Sequence, residues 1–362
     1  MWNYYNPVAV HAGLGSLAEL PRLLGQRRAI LIAFPEAESL GLLARLRTML
    51  GDRLLAIETD VRPNPDVAWL APMYERLWRD RPDAECVIAV GGGSTLDCAK
   101  AMLTHTPGGR FDDLMSALES GGVPQAGGAH RRLLAVPTTA GTGSEVTPWA
   151  TVWDHARSRK LSLHLPWTWP EAAIVDAELM LSLPHATTLA AGLDALSHAL
   201  ESLWNVHRNP VSSCLAVQAA RNIIDTLPAL LGNLERADLR HSLAIAALQA
   251  GLAFSNTRTA LAHSLSYDVT LSHGTVHGIA CSFSLPRIMA LAAGRDAQLD
   301  RQLMSVFGVP DMPAAITAMA AFLQRLSVST DPTHYGIPEP EWDKRIDAAL
   351  QGPRGRNFIA TA

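Results

Sequence analysis

Asp194 and His198 stand four residues apart in a stretch, residues 189–203, whose alanines and leucines recur at helical spacing. At that spacing a carboxylate and an imidazole lie one above the other on a single helix face, which is chelating geometry. His263, His273 and His277 follow downstream, the last two each followed by glycine, among small and apolar residues. One carboxylate with imidazoles suits zinc or ferrous iron, and three or four ligands that leave a position open are what Lewis-acid catalysis requires. A single histidine on such a helix is more often a hydrogen-bonded structural residue. It is the clustering of these residues in one apolar half that points to a metal.

A second group lies upstream. Gly91, Gly92 and Gly93, followed by Ser94 and Asp97, and the run PTTAGTGSEVT at residues 137–147, each come directly after a short β-branched run. In an open parallel sheet such loops sit beyond the carboxyl ends of the strands, where backbone N–H groups at a helix start face an anion without a countercharge. Glycines let the backbone approach a pyrophosphate, Asp97 can accept hydrogen bonds from the loop or a cofactor hydroxyl, and Thr138, Thr139 and Thr142 offer hydroxyl groups. One glycine loop is a weak signal, because tight turns use the same residues; two after consecutive strands are a stronger one. The G-x-G-x-x-G fingerprint is absent, so an ordinary Rossmann assignment would be forced.

The elements that must hold these groups follow from periodicity. Residues 28–34 (RAILIAF), 86–90 (CVIAV) and 133–136 read as strands, and the unit of strand, small-residue loop and helix repeats as in a mainly parallel sheet. After about Leu183 the pattern changes to segments at helical spacing, such as 189–203 and 242–252, and the second half reads as all-helical. Pro184 marks the switch, since the residue before a proline is biased away from helix. The expected architecture is an α/β dinucleotide-binding domain with a parallel sheet over residues 1–183 and an all-α metal-binding catalytic domain over residues 184–362.

Length and composition agree. A chain of 362 residues exceeds what one core usually supports, so two domains are the default. An apolar fraction of 48%, 18% charged residues and a net charge of −4 without long runs of either sign argue against a nucleic-acid groove or a polybasic membrane anchor. The expected partners are a small-molecule substrate and further copies of the chain, in a dimer or higher homo-oligomer. The start lacks a basic segment followed by an apolar one, and no stretch reaches the roughly 18 uninterrupted apolar residues of a spanning helix, so a cytoplasmic protein is expected. Cys86, Cys98, Cys214 and Cys281 lie far apart without a Cys-x-x-Cys pair and read as buried thiols.

Together these motifs resemble the iron-containing, or group III, alcohol dehydrogenases, which share their fold with glycerol dehydrogenase and dehydroquinate synthase. The likeness takes in Pro63-Asn64-Pro65, GGGSTLD at residues 91–97, the PTTAGTGSEVT run, Lys160, residues 170–184, GLDALSHALES at 192–202, Asn209-Pro210, His263 and VHGIA at 276–280. The resemblance implies that Asp194, His198, His263 and His277 hold a divalent metal, usually Fe2+ and sometimes Zn2+. His277 is preferred to His273 because its spacing from His263 and the Gly-Ile-Ala after it agree with the family. The resemblance also places the pyrophosphate of NADH or NADPH on Gly92, Gly93 and Ser94, with Asp97, Thr138, Thr139, Thr142 and Lys160 around the cofactor. The reaction implied is hydride transfer between a nicotinamide and a carbonyl carbon polarised by the metal.

Two departures from the family matter. Many members end the first strand with an acidic residue that holds the adenosine ribose; Ala33-Phe34-Pro35 occupies that stretch here, which admits NADPH. Many also carry a histidine four residues after the third metal ligand, and here Tyr267 stands there, a phenol in place of the usual proton shuttle. For the substrate the telling stretch is NTRTALAHSLSY at residues 256–267, where Asn256, Arg258 and Thr259 precede the third ligand. A guanidinium near the metal favours an anionic group, and the stretch resembles that of the phosphonoacetaldehyde reductases of phosphonate biosynthesis. Tyr267 and Arg258 are thus the catalytic candidates, with Asn256, Arg258 and Thr259 at the substrate. Maleylacetate reductase, a general alcohol dehydrogenase and a dehydroquinate-synthase-like lyase are the alternatives.

Overall fold

The computed structural model describes residues 1–122, 130–157 and 159–361, and their contacts divide into two compact units. The first comprises Pro7–Thr138 and Ser144–Leu179. Its strands are β1 (Ala9–Ala12), β2 (Ala29–Ala33), β3 (Leu54–Glu58), β4 (Cys86–Gly91), β5 (Arg132–Pro137), β6 (Trp149–Asp154), β7 (Arg159–His164) and β8 (Ala172–Val175). Six of them form one sheet in the order β1-β8-β5-β4-β2-β3, with every pairing parallel. β6 and β7 pair antiparallel as a separate ribbon.

The strands legible from the sequence are β2, β4 and β5, at the middle of the sheet, and the reason is burial on both faces. Ile30, Ile32, Val87, Ala89, Leu133 and Ala135 pack with Leu70, Tyr74 and Leu77. Their neighbours Leu31, Ala33, Ile88, Val90, Leu134 and Val136 pack on the other face with Leu17, Leu20, Leu24 and Leu46. Alternate side chains point to opposite faces, so a strand covered on both sides reads as a continuous apolar run. β4 and β5 run in register to Gly91 opposite Pro137, and the Thr138 N–H donates to the Gly91 carbonyl at 3.0 Å. The two small-residue loops therefore leave the sheet side by side.

The second unit comprises Met1–Asn6, Thr139–Gly143 and Met180–Ala362, and its long segment is helical. His185–Leu203, Pro210–Gly232 and Ala237–Thr257 are the longest helices. Small residues let them approach closely: a Cβ on Gly192 would stand 2.8 Å from Leu227 Cδ1. The short stretch Thr139–Gly143 fits against two of these helices, since a Cβ on Gly141 would lie 3.0 Å from the Ala191 Cα and one on Gly143 2.7 Å from the Gly251 Cα. Pro210–Gly232 opens with a capping box in which Asn209 accepts from the Val211 and Ser212 N–H groups and Ser212 Oγ takes the Asn209 N–H. Among the described residues no single helix is long and apolar enough to cross a membrane. One cysteine departs from expectation: Cys214, on Pro210–Gly232, is exposed, while Cys86, Cys98 and Cys281 are buried.

Candidate functional site

His185–Leu203 is buried on nearly every side from Gly192 onward, so each polar group it carries has left water, and an unpaired one costs several kcal/mol. Asp194 and His198 both lie on that buried stretch. His263, from Leu261–His273, brings Nε2 to 3.4 Å from Asp194 Oδ1. His277, the first residue of His277–Ser282, brings its Nε2 to 3.7 Å from the same oxygen. Cys281, one turn on, puts Sγ 3.5 Å from His277 Nε2. Donor atoms of Asp194, His263, His277 and Cys281 all lie within 4.8 Å of one another.

This arrangement fits a metal. Ligand bonds of about 2.0–2.3 Å in a tetrahedral array separate the donors by about 3.3–3.8 Å. Asp194 Oδ1, His263 Nε2 and His198 Nδ1 are buried with no hydrogen-bond partner among the described residues, a state that a cation relieves. His198, expected as a ligand, lies beside the four-atom set instead of within it. Its ring stacks between Phe254 at 4.1 Å and His263 at 4.4 Å. Cys281, which the sequence reading left as a plain buried thiol, is the fourth member. His273 sits elsewhere, with its Nε2 3.1 Å from Arg345 Nη2.

The residue that orients the set is Glu201, which the sequence reading passed over. It is fully buried and accepts from the Ala260 N–H at 3.0 Å, the His263 N–H at 3.2 Å and His263 Nδ1 at 2.7 Å. Burial would raise its pKa, but His263 pulls it below the usual carboxylate value. The carboxylate is therefore ionised and Nδ1 carries a proton, while Nε2 faces Asp194. Cys281, Glu201 and Asp194 raise the His263 pKa well above its ordinary value against the effect of burial, so Nε2 becomes a ligand once its own proton is lost. Glu201 lies seven residues after Asp194, two turns along the same helix face, and that spacing is the signal that could have found it.

The protonation of the ion-free cluster follows from its charges. Burial would raise the Asp194 carboxyl, but His198, His263 and His277 hold it well below the ordinary carboxylate range. His198 is pushed down to about 4, chiefly by burial. Burial would also lower His277, yet Cys281 and Asp194 raise it to about 9. The two imidazoles in turn bring Cys281 down to about 7 against the effect of burial.

The turn before His263 is strained and pinned. Arg258 has φ 67° and ψ 174°, a region that essentially only glycine occupies. Its carbonyl accepts from Asn205 Nδ2 and Thr257 Oγ1, each at 3.1 Å. Its side chain, expected at the substrate and in catalysis, is exposed and has no hydrogen-bond or ion-pair partner among the described residues. The amide of Asn256, expected at the substrate, is engaged by the backbone of Tyr5, accepting from N at 2.8 Å and donating to O at 3.1 Å. Thr259 Oγ1 accepts from Arg354 Nε at 3.2 Å. The Arg354 guanidinium lies 4.7 Å from the centre of the Tyr267 ring, and that ring stands nearly parallel to His277 at 6.1 Å. Tyr267 is thus at the cluster, accompanied by an arginine other than the one expected.

In the α/β unit, Gly92 caps the helix Gly93–Ala101, so Gly92, Gly93 and Ser94 form its N-terminus, the place where backbone N–H groups meet an anion. Ser94 Oγ already accepts from the Asn64 N–H at 3.2 Å. Asp97 accepts from Ser144 Oγ and the Thr151 N–H, both at 2.9 Å, and burial pushes its pKa up against the pull of Lys100. Lys100, buried beside it, donates to the Ser144 and Trp149 carbonyls. Thr138 is buried at the end of β5, and Lys160, on β7, places Nζ 5.3 Å from the centre of the Trp153 ring; Thr139 and Thr142, which group with the helical unit, are half-buried. Phe34 closes β2 where a ribose-holding acid was sought, its N–H donating to the Val90 carbonyl.

Comparison with known proteins gives concordant matches. The family described as iron-containing alcohol dehydrogenase matches residues 7–177, and the Fe-containing alcohol dehydrogenase family, C-terminal, matches residues 188–360. The NAD-dependent methanol dehydrogenase of Bacillus methanolicus is 31% identical over 346 residues, 93% of this chain and 88% of that one. The phosphonoacetaldehyde reductase of Streptomyces viridochromogenes is 36% identical over 210 residues, 57% of this chain and 53% of that one. The crystal structure of sulfoacetaldehyde reductase from Bifidobacterium kashiwanohense in complex with NAD+ is similar with a TM-score of 0.90 at 26% identity, covering 99% of this chain and 94% of that one.

Proposed function

We propose that this chain, which belongs to the iron-containing alcohol dehydrogenase family, reduces a small aldehyde that carries an anionic group, with phosphonoacetaldehyde to 2-hydroxyethylphosphonate as the leading conversion. The observation that carries the metal-dependent part is the set of buried Asp194 and His263 with half-buried His277, in which Asp194 Oδ1 and His263 Nε2 have no hydrogen-bond partner among the described residues. The anionic part rests on two relatives whose names give a phosphono- and a sulfo-substituted aldehyde.

In this reading Asp194, His263 and His277 hold the ion, with His198, the expected fourth ligand, stacked beside them and Cys281 within donor distance. Gly92, Gly93 and Ser94 receive the cofactor's pyrophosphate, with Asp97, Thr138, Thr139, Thr142 and Lys160 assigned to the same cofactor. Bound there, the divalent metal supplies a fixed positive charge that polarises the carbonyl, and reduced nicotinamide supplies the hydride. The protein contributes position and protons. Glu201 keeps the His263 ring in one tautomer and one orientation, so no reorganisation is needed when charge develops. Aldehyde, NAD(P)H and one proton give alcohol and NAD(P)+, and the proton is delivered from the hydroxyl of Tyr267 or through a water beside it. Phe34 at the end of β2 removes the carboxylate that would repel a 2′-phosphate, so NADPH is accepted as well as NADH.

Steady-state kinetics with phosphonoacetaldehyde, maleylacetate and acetaldehyde, each with NADH and NADPH, tests the reading. A higher kcat/KM for phosphonoacetaldehyde than for acetaldehyde is expected, with turnover lost when His263→Ala removes the metal. Equal use of the two aldehydes, or full activity in metal-free enzyme, refutes it. The likeness to methanol dehydrogenase over most of the chain favours a second reading, a dehydrogenase of neutral alcohols, and the same panel separates the two.

A further inference from the structure

We infer that Arg354, in the C-terminal segment, is the residue that recognises the anionic end of the substrate. The inference deepens the proposed function and rests on it. Three observations carry it. The Arg354 guanidinium lies 4.7 Å above Tyr267, and Tyr267 lies parallel to His277 at 6.1 Å, so guanidinium, phenol and imidazole form one layered stack ending at the donor cluster. The guanidinium is within about 11 Å of the His277 ring centre along that stack. With its carbonyl oxygen about 2 Å from a metal and an anion oxygen about 2.9 Å from a guanidinium nitrogen, a short aldehyde in extended form reaches from the cluster to the guanidinium past the edge of the Tyr267 ring.

The second observation is charge. Arg354 is half-buried, yet its single protein hydrogen bond is from Nε to Thr259 Oγ1, and no carboxylate pairs with it among the described residues. A guanidinium carries five N–H donors, so four remain for an acceptor that is not part of the chain. Its neighbours differ. Arg345, for example, is paired with Asp268 and Glu341. A planar fork with free donors binds phosphonate, sulfonate or carboxylate through two oxygens at once.

The third observation is rigidity. Gly355 follows Arg354, and a Cβ there would run into the Ala349 and Leu350 carbonyl oxygens. Asn357 Nδ2 donates to the Thr259 carbonyl at 2.8 Å, the Val206 N–H to the Asn357 carbonyl at 2.8 Å, and the Ile359 N–H to the Trp204 carbonyl at 3.0 Å. Phe358 is fully buried. The segment is thereby fastened to the turn before His263 and to the end of the Asp194 helix, which fixes the distance between guanidinium and cluster. A fixed distance selects substrate length as well as charge.

The test compares kcat/KM for an anionic aldehyde, phosphonoacetaldehyde or sulfoacetaldehyde, with that for its uncharged isostere 3,3-dimethylbutanal, in wild type and in R354L, R354K, R356L and R258L. Metal content and circular dichroism are checked for each. The expected result is a ratio that falls about 10- to 100-fold in R354L, carried mainly by KM for the anionic substrate. R354K recovers part of it, and R258L and R356L stay near wild type. Ethylphosphonate, as a competitive inhibitor against the neutral aldehyde, loses potency in R354L to the same degree. If wild type prefers the anionic aldehyde and R354L keeps that preference, or if R258L loses it instead, Arg354 is not the anion-binding residue. If wild type shows no preference at all, the proposed function falls, and the Arg354 role with it.

Discussion

Replacing Glu201 by glutamine removes one charge and leaves the volume almost unchanged, so its effect isolates what the buried carboxylate does. Three donors converge on Glu201: the Ala260 N–H, the His263 N–H and His263 Nδ1. In either amide orientation glutamine offers one carbonyl oxygen and turns an NH2 group toward at least one of those donors. An unsatisfied buried N–H costs about 1–3 kcal/mol, and the remaining hydrogen bonds weaken once their acceptor is neutral. The expected loss is about 2–4 kcal/mol, or about 5–15 °C in the melting temperature of a unit this size. His263 also loses the partner that fixes its tautomer, which costs about 10- to 100-fold in metal affinity. Thermal unfolding with and without chelator reads the first quantity, and competition against a metal-binding dye the second. An E201Q protein that melts within about 2 °C of wild type and holds metal equally well would refute the reasoning.

Metal uptake is expected to strengthen with pH, because His277, raised to about 9, must lose its proton to ligate. His263, raised well above its ordinary value, must do the same, so below about pH 9 affinity falls at least about tenfold per pH unit. Calorimetry in buffers of different ionisation enthalpy should show proton release, and an affinity flat between pH 6 and pH 9 overturns the assignment. In the chelated protein the sign reverses. A histidine raised from 6.5 stabilises the fold fully below pH 6.5 and loses that contribution as pH rises through about 9, which denaturation at pH 6 and pH 9.5 measures. Gly278→Ala drives a Cβ into the Ala190 carbonyl oxygen, pushing His277–Ser282 away from the Asp194 helix. A loss of about 1–3 kcal/mol and at least tenfold weaker metal binding are expected, and an unchanged metal content after dialysis contradicts this. Arg258→Gly relieves a backbone strain of about 1–3 kcal/mol against an entropy cost of about 0.5–1 kcal/mol. Denaturant titration should find the variant as stable as wild type or more so, and a loss above about 1 kcal/mol counts against strain at this turn.

What the sequence reveals here tracks how local the governing physics is. β2, β4 and β5 stand out because apolar continuity over five or six residues is itself the consequence of two covered faces. β1 and β8, four residues each, carry too little pattern. Asp194, His263 and His277 were legible through helix spacing and motif, and the structure brings them together. Cys281 and Glu201 were within reach, one turn and two turns from residues already chosen. The arginines were not. Arg258 stands five residues from His263, and proximity in sequence recommended it, but the left-handed backbone at that position turns the chain and leaves its side chain exposed. Arg354 reaches Thr259 across 95 residues, and no periodicity announces a contact of that span. The contact of the Asn256 amide with Tyr5, 251 residues away, is equally invisible to periodicity.

The five residues Thr139–Gly143 group with the helices although Thr138 and Ser144 on either side group with the sheet. A gene cut at residue 180 would therefore deliver an incomplete helical half: the faces of Ala191 and Gly251 would be left uncovered, and Phe254, the platform on which His198 rests, would lose the glycine backbone that lies against it. The two halves are distinct as architecture and inseparable as reagents, so studies of metal uptake call for the undivided polypeptide, and a chimera with a relative's helical half would have to import this pentapeptide too.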